Sequence, residues 1–143
     1  MNTQKFLVSG IVGAIVSFFA GYLIYGTLLM DFFKHNTGSA TGVPREMSEI
    51  IWWSLIVANL CWGLLYSYIL NRAGANSLGA GAGTGFVIGL LFTAAADLTM
   101  YATSNVSNST GTFADIACGA VMGLIVGAAV GLTNGMQAKK AAA

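Results

Sequence analysis

Two aspartates that lie inside apolar stretches are the residues of this sequence best placed to do chemistry. Asp97 and Asp115 flank a short polar segment, residues 104–112, and each has a long apolar stretch on its other side. If both stretches are helices that cross a membrane, the two carboxyl groups lie just below the same surface. A charge inside a membrane span is costly and marks a candidate functional site. Two neighbouring carboxylates repel each other, so one of them takes up a proton or the pair shares a cation.

Three uncharged side chains are predicted to form a polar network with these aspartates. Thr93 and Tyr101 lie four residues before and after Asp97, and Asn59 lies in the preceding apolar stretch. A purely structural role is the preferred interpretation of this network. In that case Asp115 caps the start of its helix, and Asp97 hydrogen-bonds to Asn59 or Tyr101. The alternative interpretation is a binding site for an ion or a proton.

The composition is that of a protein whose solvent is lipid. Of the 143 residues, 56% are hydrophobic and 8% are charged, against roughly 25% charged residues in an average soluble domain. The net charge of +1 gives no basic face for nucleic acid. His35 is the only histidine, so no Ser/His/Asp or Cys/His grouping exists. We therefore predict that the protein is not an enzyme and holds no metal or cofactor.

Four apolar stretches are long enough to cross a bilayer, for which a helix needs about 20 residues. Helices are expected because lipid offers no hydrogen-bonding partner to backbone N–H and C=O groups. We predict an all-α fold, an up-down-up-down bundle of four transmembrane helices within a single membrane domain that covers residues 1–143. The predicted spans are residues 6–30, 50–70, 78–102 and 113–134.

The positive side chains are divided unevenly between the two sides of this bundle. One side, which includes both termini, has four of the six Lys and Arg residues. Basic residues are enriched in cytoplasmic loops, so both termini are predicted to be cytoplasmic. The four are Lys5, Arg72, Lys139 and Lys140, and the two on the opposite side are Lys34 and Arg45.

Small residues spaced by four are the most specific pattern in the chain. Residues four apart lie on nearly the same face of a helix, and a row of glycines lets a second backbone approach closely, which drives helix association in lipid. We expect helices three and four to be a closely packed pair, although one row could instead face another copy of the protein. The rows are Gly81, Gly85 and Gly89, continued by Thr93 and Asp97, and Asp115 followed by Gly119, Gly123, Gly127 and Gly131.

Three short segments carry a resemblance to a known group of proteins. They are residues 21–26 (GYLIYG), 97–105 (DLTMYATSN) and 115–119 (DIACG). In these segments the chain resembles an uncharacterised family of small four-helix integral membrane proteins of bacteria, a domain of unknown function. The resemblance covers nearly the whole chain and implies the four-helix topology and a location in the bacterial inner membrane. It implies no activity.

The leading functional hypothesis is a non-enzymatic membrane protein that acts through helix packing. The chain has more small-residue rows than a bundle of four helices needs, which favours an accessory subunit of a larger membrane complex or a homo-oligomer. The alternative is a small transporter, or an ion- or proton-conducting protein, that uses Asp97 and Asp115. The lipid bilayer is the one partner that both hypotheses share.

Overall fold

A computed structural model describes residues 2–43 and 45–142. The described part is all-helical and contains no β-strand, which confirms the predicted fold class. A five-residue π-helix, Ile24–Leu28, continues the first long helix, and a short 3-10 helix, Met47–Glu49, precedes the third. The α-helices are α1 (Thr3–Leu23), α2 (Met30–His35), α3 (Trp52–Arg72), α4 (Leu78–Thr103) and α5 (Ser109–Ala142).

Four segments are long and apolar enough to cross a membrane, which indicates an integral membrane protein. The segment with the largest difference from its predicted bounds is the last one, because α5 begins before residue 113 and continues beyond residue 134. Asn108 explains the early start, since its side-chain oxygen accepts a hydrogen bond from the backbone N–H of Gly111 at 2.8 Å. The segments are Thr3–Leu28, Trp52–Arg72, Leu78–Thr103 and Ser109–Lys140.

The four long helices are arranged as two tightly packed pairs. The most extensive contact joins α4 to α5, the next joins α1 to α3, and α1 packs on α5 to connect the pairs. By contrast α3 and α4 barely touch, although only a short turn separates them. Gly74 makes this turn possible with a φ of 68°, a conformation that favours glycine. The buried core lies between α3 and α5 and consists of Tyr66, Leu70, Ala75, Val126 and Val130.

The two ends of the bundle are held by different contacts. At the terminal end, where the N-terminus meets residues 73–77, Lys5 Nζ donates a hydrogen bond to Asn76 Oδ1 at 2.7 Å. At the loop end, residues 36–40 meet the 104–108 connection through an isolated antiparallel bridge between Thr37 and Ser107. The backbone N–H of Gly38 also donates to Val106 O at 3.0 Å. The two loops therefore cover the loop end together.

Candidate functional site

The glycine rows of α4 and α5 face each other within the one chain. A Cβ atom built on Gly85 would overlap the carbonyl oxygen of Gly123 and would lie 2.7 Å from Gly127 Cα. Since real Cβ atoms do not approach a backbone so closely, only glycine fits there. The same relation repeats along the interface, which contains Gly81, Gly85, Gly89, Gly119, Gly123, Gly127 and Gly131.

This antiparallel register places the two aspartates at the same level. Gly89 lies against Gly119 and Gly123, Asp97 is two turns beyond Gly89, and Asp115 is two turns before Gly123. The two residues therefore lie beside each other across the contact between α4 and α5. The backbone contact between the helices therefore positions the pair, and both side chains line one cavity at the loop end.

A tyrosine from the first span completes the group. The Tyr25 hydroxyl donates a hydrogen bond to Asp115 Oδ1 at 2.6 Å. Tyr25 lies in the π-helix Ile24–Leu28, and such wide turns are frequent at functional sites. On Asp97, the Oδ2 atom is buried and has no hydrogen-bond partner among the described residues. The group thus has one carboxylate that is held by a donor and one that has an unsatisfied acceptor.

Tyr25 is not among the residues predicted for this site, although the sequence contains a signal for it. In the first span the residues Ser9, Gly13, Ser17 and Gly21 step by four, and the next step is Tyr25. Asp97 continues the row of α4 in the same way. Each of the three rows therefore ends at the loop end in a side chain of the same polar group.

Two residues of the predicted network lie away from the carboxylates. The Asn59 amide donates to the carbonyl oxygen of Leu55 in its own helix at 2.9 Å, because this half of α3 stands apart from the other helices. Tyr101 is 46% exposed on the outer face of α4. Thr93 lies one turn below Asp97 and faces Gly119. The structure therefore brings together Asp97, Asp115 and Tyr25, with Thr93 beneath them.

The cavity above this group has a volume of about 500 Å³, which is within the range of small-molecule sites. Its walls come from the end of the first span, α2, α4 and α5, and its cover comes from the two loops. Lys34, Arg45 and Glu46 contribute to the lining near the surface, and all three are exposed. The carboxyl groups thus lie at the helical side of the cavity and the basic residues lie at its rim.

Comparison with known proteins identifies the family. The chain belongs to the family described as "Protein of unknown function (DUF1761)", which matches residues 8–133. The match confirms the resemblance to a family of unknown function, and it includes Tyr25, Asp97 and Asp115. No curated protein and no solved structure matches the chain.

Proposed function

We propose that this membrane protein binds a proton or a small cation at the Asp97–Asp115 pair and carries it as a small transporter or conducting protein. One observation carries the proposal. Two carboxyl groups line one cavity at the loop end, and a buried oxygen of one of them has no donor in the described part of the chain. A shared proton or a bound cation would remove the repulsion and satisfy that oxygen.

The chemistry of the available groups fits a hard cation or a proton. Carboxylate and hydroxyl oxygens are the ligands that such cations prefer, and the Tyr25 hydroxyl already donates its hydrogen to Asp115. Asp97 therefore retains the free acceptor. The cavity above gives solvent access from the loop end.

A purely structural role accounts less well for the same geometry. Buried polar groups that only join helices are normally satisfied by hydrogen bonds, whereas Asp97 Oδ2 has no partner in the parts of the chain that are described. Asn59, the predicted structural partner of Asp97, bonds within its own helix. These two facts favour a ligand over simple helix association.

The glycine rows give no separate support for a partner protein. The chain has more small-residue rows than one bundle needs, but the rows of α4 and α5 contact each other inside the chain. An accessory role or a homo-oligomer stays a prediction. No surface is assigned to it.

We further propose that the protein lies in a bacterial inner membrane with both termini in the cytoplasm. The uneven distribution of Lys and Arg supports this orientation. Lys5 lies at the terminal end beside Asn76. The carboxylate pair would then open to the outside of the cell.

Flux through proteoliposomes tests the proposal. Purified protein is placed in vesicles that contain a pH-sensitive dye, or an indicator for Na⁺ or K⁺, and a membrane potential is imposed. We expect wild-type flux of one of these cations, and we expect Asp97→Asn and Asp115→Asn to reduce it to the rate of empty vesicles. Asp31→Asn is the matched control because Asp31 is an exposed carboxylate of α2 outside the cavity lining.

Two results would contradict the proposal. Wild-type vesicles that pass no protons, Na⁺, K⁺ or cationic dye faster than empty vesicles would remove the transport function. Equal flux in Asp97→Asn and Asp31→Asn would remove the carboxylate pair from the mechanism.

A further inference from the structure

A second, smaller cavity lies directly beneath the carboxylate pair. Its volume is about 150 Å³, and all four long helices contribute to its lining. On α4 its level is marked by Thr93, which is ten residues, or about 15 Å, below the loop end of that helix. This depth is close to the middle of a hydrocarbon layer about 30 Å thick.

The cavity exists because small residues from different helices meet at this level. Gly89, Gly119 and Ser17 line it, and none of them fills the space with a large side chain. Tyr25 lines both this cavity and the larger one above. The two cavities therefore adjoin at the hydroxyl-bearing side chain that holds Asp115.

Tyr66 supplies an independent observation that points to a ligand in the lower cavity. The residue is only 4% exposed and lines the cavity, and its hydroxyl oxygen lies near Gly123. No hydrogen bond joins this hydroxyl to another residue within 2–43 and 45–142, so it is left facing the cavity, where a polar group is stabilised by a hydrogen-bonding ligand such as water. A cavity of 150 Å³ has room for several water molecules, since each occupies about 30 Å³ in the liquid.

Below this level the bundle is closed. A Cβ atom built on Gly13 would lie 2.9 Å from the side chain of Val130 and 3.1 Å from the backbone of Gly63. Leu70 and Val130 are both completely buried. The contact of α1 with α3 and α5 therefore separates the cavity from the terminal end.

We infer that the lower cavity is a hydrated inner subsite that takes water and small cations from the loop end and stops at the middle of the membrane. Thr93, Ser17 and Tyr66 offer hydroxyl oxygens there, below the two carboxylates. The inference deepens the proposed function, on which it rests for the identity of the cation. Its test measures access to the cavity and does not depend on flux.

Silver ion is a suitable probe because it is a small cation that reacts with thiols. Cys61 and Cys118 are free thiols and are first replaced by alanine. Ser17→Cys and Thr93→Cys are then introduced separately, in protein held in lipid nanodiscs. The reaction with silver is measured as the loss of later labelling by a fluorescent maleimide after denaturation.

Two control positions define what the result means. Leu91, which is 63% exposed on α4, faces lipid at a similar depth, and Val130 lies below the cavity. We expect Thr93→Cys and Ser17→Cys to react about tenfold or more faster than Leu91→Cys, because the carboxylates concentrate cations above them. Asp97→Asn should slow both reactions, and Val130→Cys should stay unreacted.

The outcomes separate this inference from the proposed function. Equal rates at Ser17→Cys, Thr93→Cys and Leu91→Cys would overturn the inference, because the cavity would then be dry. Rapid reaction of silver with Val130→Cys would contradict the inference that the bundle is closed below the cavity. Fast reaction in a protein that supports no flux would uphold the hydrated subsite and remove only the proposed transport.

Discussion

The two ends of the bundle use the same helices in opposite ways. At the terminal end, Ser9 Oγ and Ser67 Oγ are hydrogen-bonded at 2.7 Å, both residues are completely buried, and backbones lie in contact. At the loop end, residues 52–58 of the second span are all exposed, and a cavity of about 500 Å³ lies beside the first span, α4 and α5. The helices are therefore closely packed at the terminal end and less closely packed at the loop end.

The difference shows what closes a small bundle in lipid. On α3 the small residues that meet α1 are Gly63 and Ser67, and they lie in the half nearer the terminal end. Without a hydrophobic force between helices, association needs small residues on both partners. Beyond Gly63 toward the loop end, α3 has no small-residue match on α1, and it departs from the bundle.

The largest expected effect is the loss of the α4–α5 contact. Gly85→Leu would drive a side chain into the backbone of Gly123 and Gly127, and we expect it to cost more than about 3 kcal/mol and to abolish the folded protein. Gly83→Leu is the matched control, because nothing lies within 4 Å of a Cβ atom there. Size-exclusion chromatography and thermal unfolding in detergent measure both. Equal stability of the two variants would contradict the observed α4–α5 contact.

A smaller effect is expected from the hydrogen bond of Tyr25 at the loop end. Tyr25→Phe removes the donor to Asp115 Oδ1, and a hydrogen bond to a charged group contributes about 1.5–3 kcal/mol. The half-saturating concentration of the transported cation should therefore change by about tenfold or more. Tyr22→Phe changes an exposed tyrosine of the same segment and should leave the value unchanged. Identical values for both variants would show that Tyr25 does not act on the carboxylate.

The cover of the cavity can be loosened without touching the carboxylates. A Cβ atom on Gly38 would overlap the carbonyl oxygen of Asn105, so Gly38→Ala should separate the two loops. We expect amide hydrogen exchange at residues 36–40 and 105–108 to accelerate about tenfold, which corresponds to about 1.4 kcal/mol. Ser39→Ala, at an exposed loop residue, is the control. Unchanged exchange in Gly38→Ala would mean that the bridge does not hold the cover.

The smallest effect is expected from the hydrogen bonds between serine side chains at the terminal end. Ser67→Ala removes the bond to Ser9 and the bond to the carbonyl oxygen of Phe6. Hydrogen bonds between membrane helices average about 0.6 kcal/mol, so the thermal midpoint should fall by only a few degrees. Ser54→Ala, at an exposed position of α3, should not change it. A fall as large as that of Gly85→Leu would mean that serines, and not glycines, hold the helices.

Much of the architecture was predictable because hydropathy and spacing act locally. The four spans follow from apolar length. The register that aligns Asp97 with Asp115 follows from glycine rows whose members occur at every fourth residue. These features depend on one helix or on one pair of helices, so a sequence pattern expresses them directly.

The remaining part of the site depends on contacts that no local pattern encodes. Tyr25 reaches Asp115 from a π-helix, a wide turn that neither composition nor hydropathy predicts. The predicted hydrogen bond from Asp97 to Asn59 requires α3 to lie against α4 at the level of the carboxylates. The actual divergence of α3 leaves Asn59 bonded to Leu55.

The α4–α5 contact also has an evolutionary consequence. Every amino-acid substitution of a glycine introduces a larger side chain. At Gly81, Gly85 and Gly123 every such change places an atom in the backbone of the opposite helix. Gly79 and Gly83 lie on the same helix but face open space, so they are free to drift. Among diverging descendants of this gene, glycine should therefore persist at alternate positions along α4 and be replaced at the positions between them.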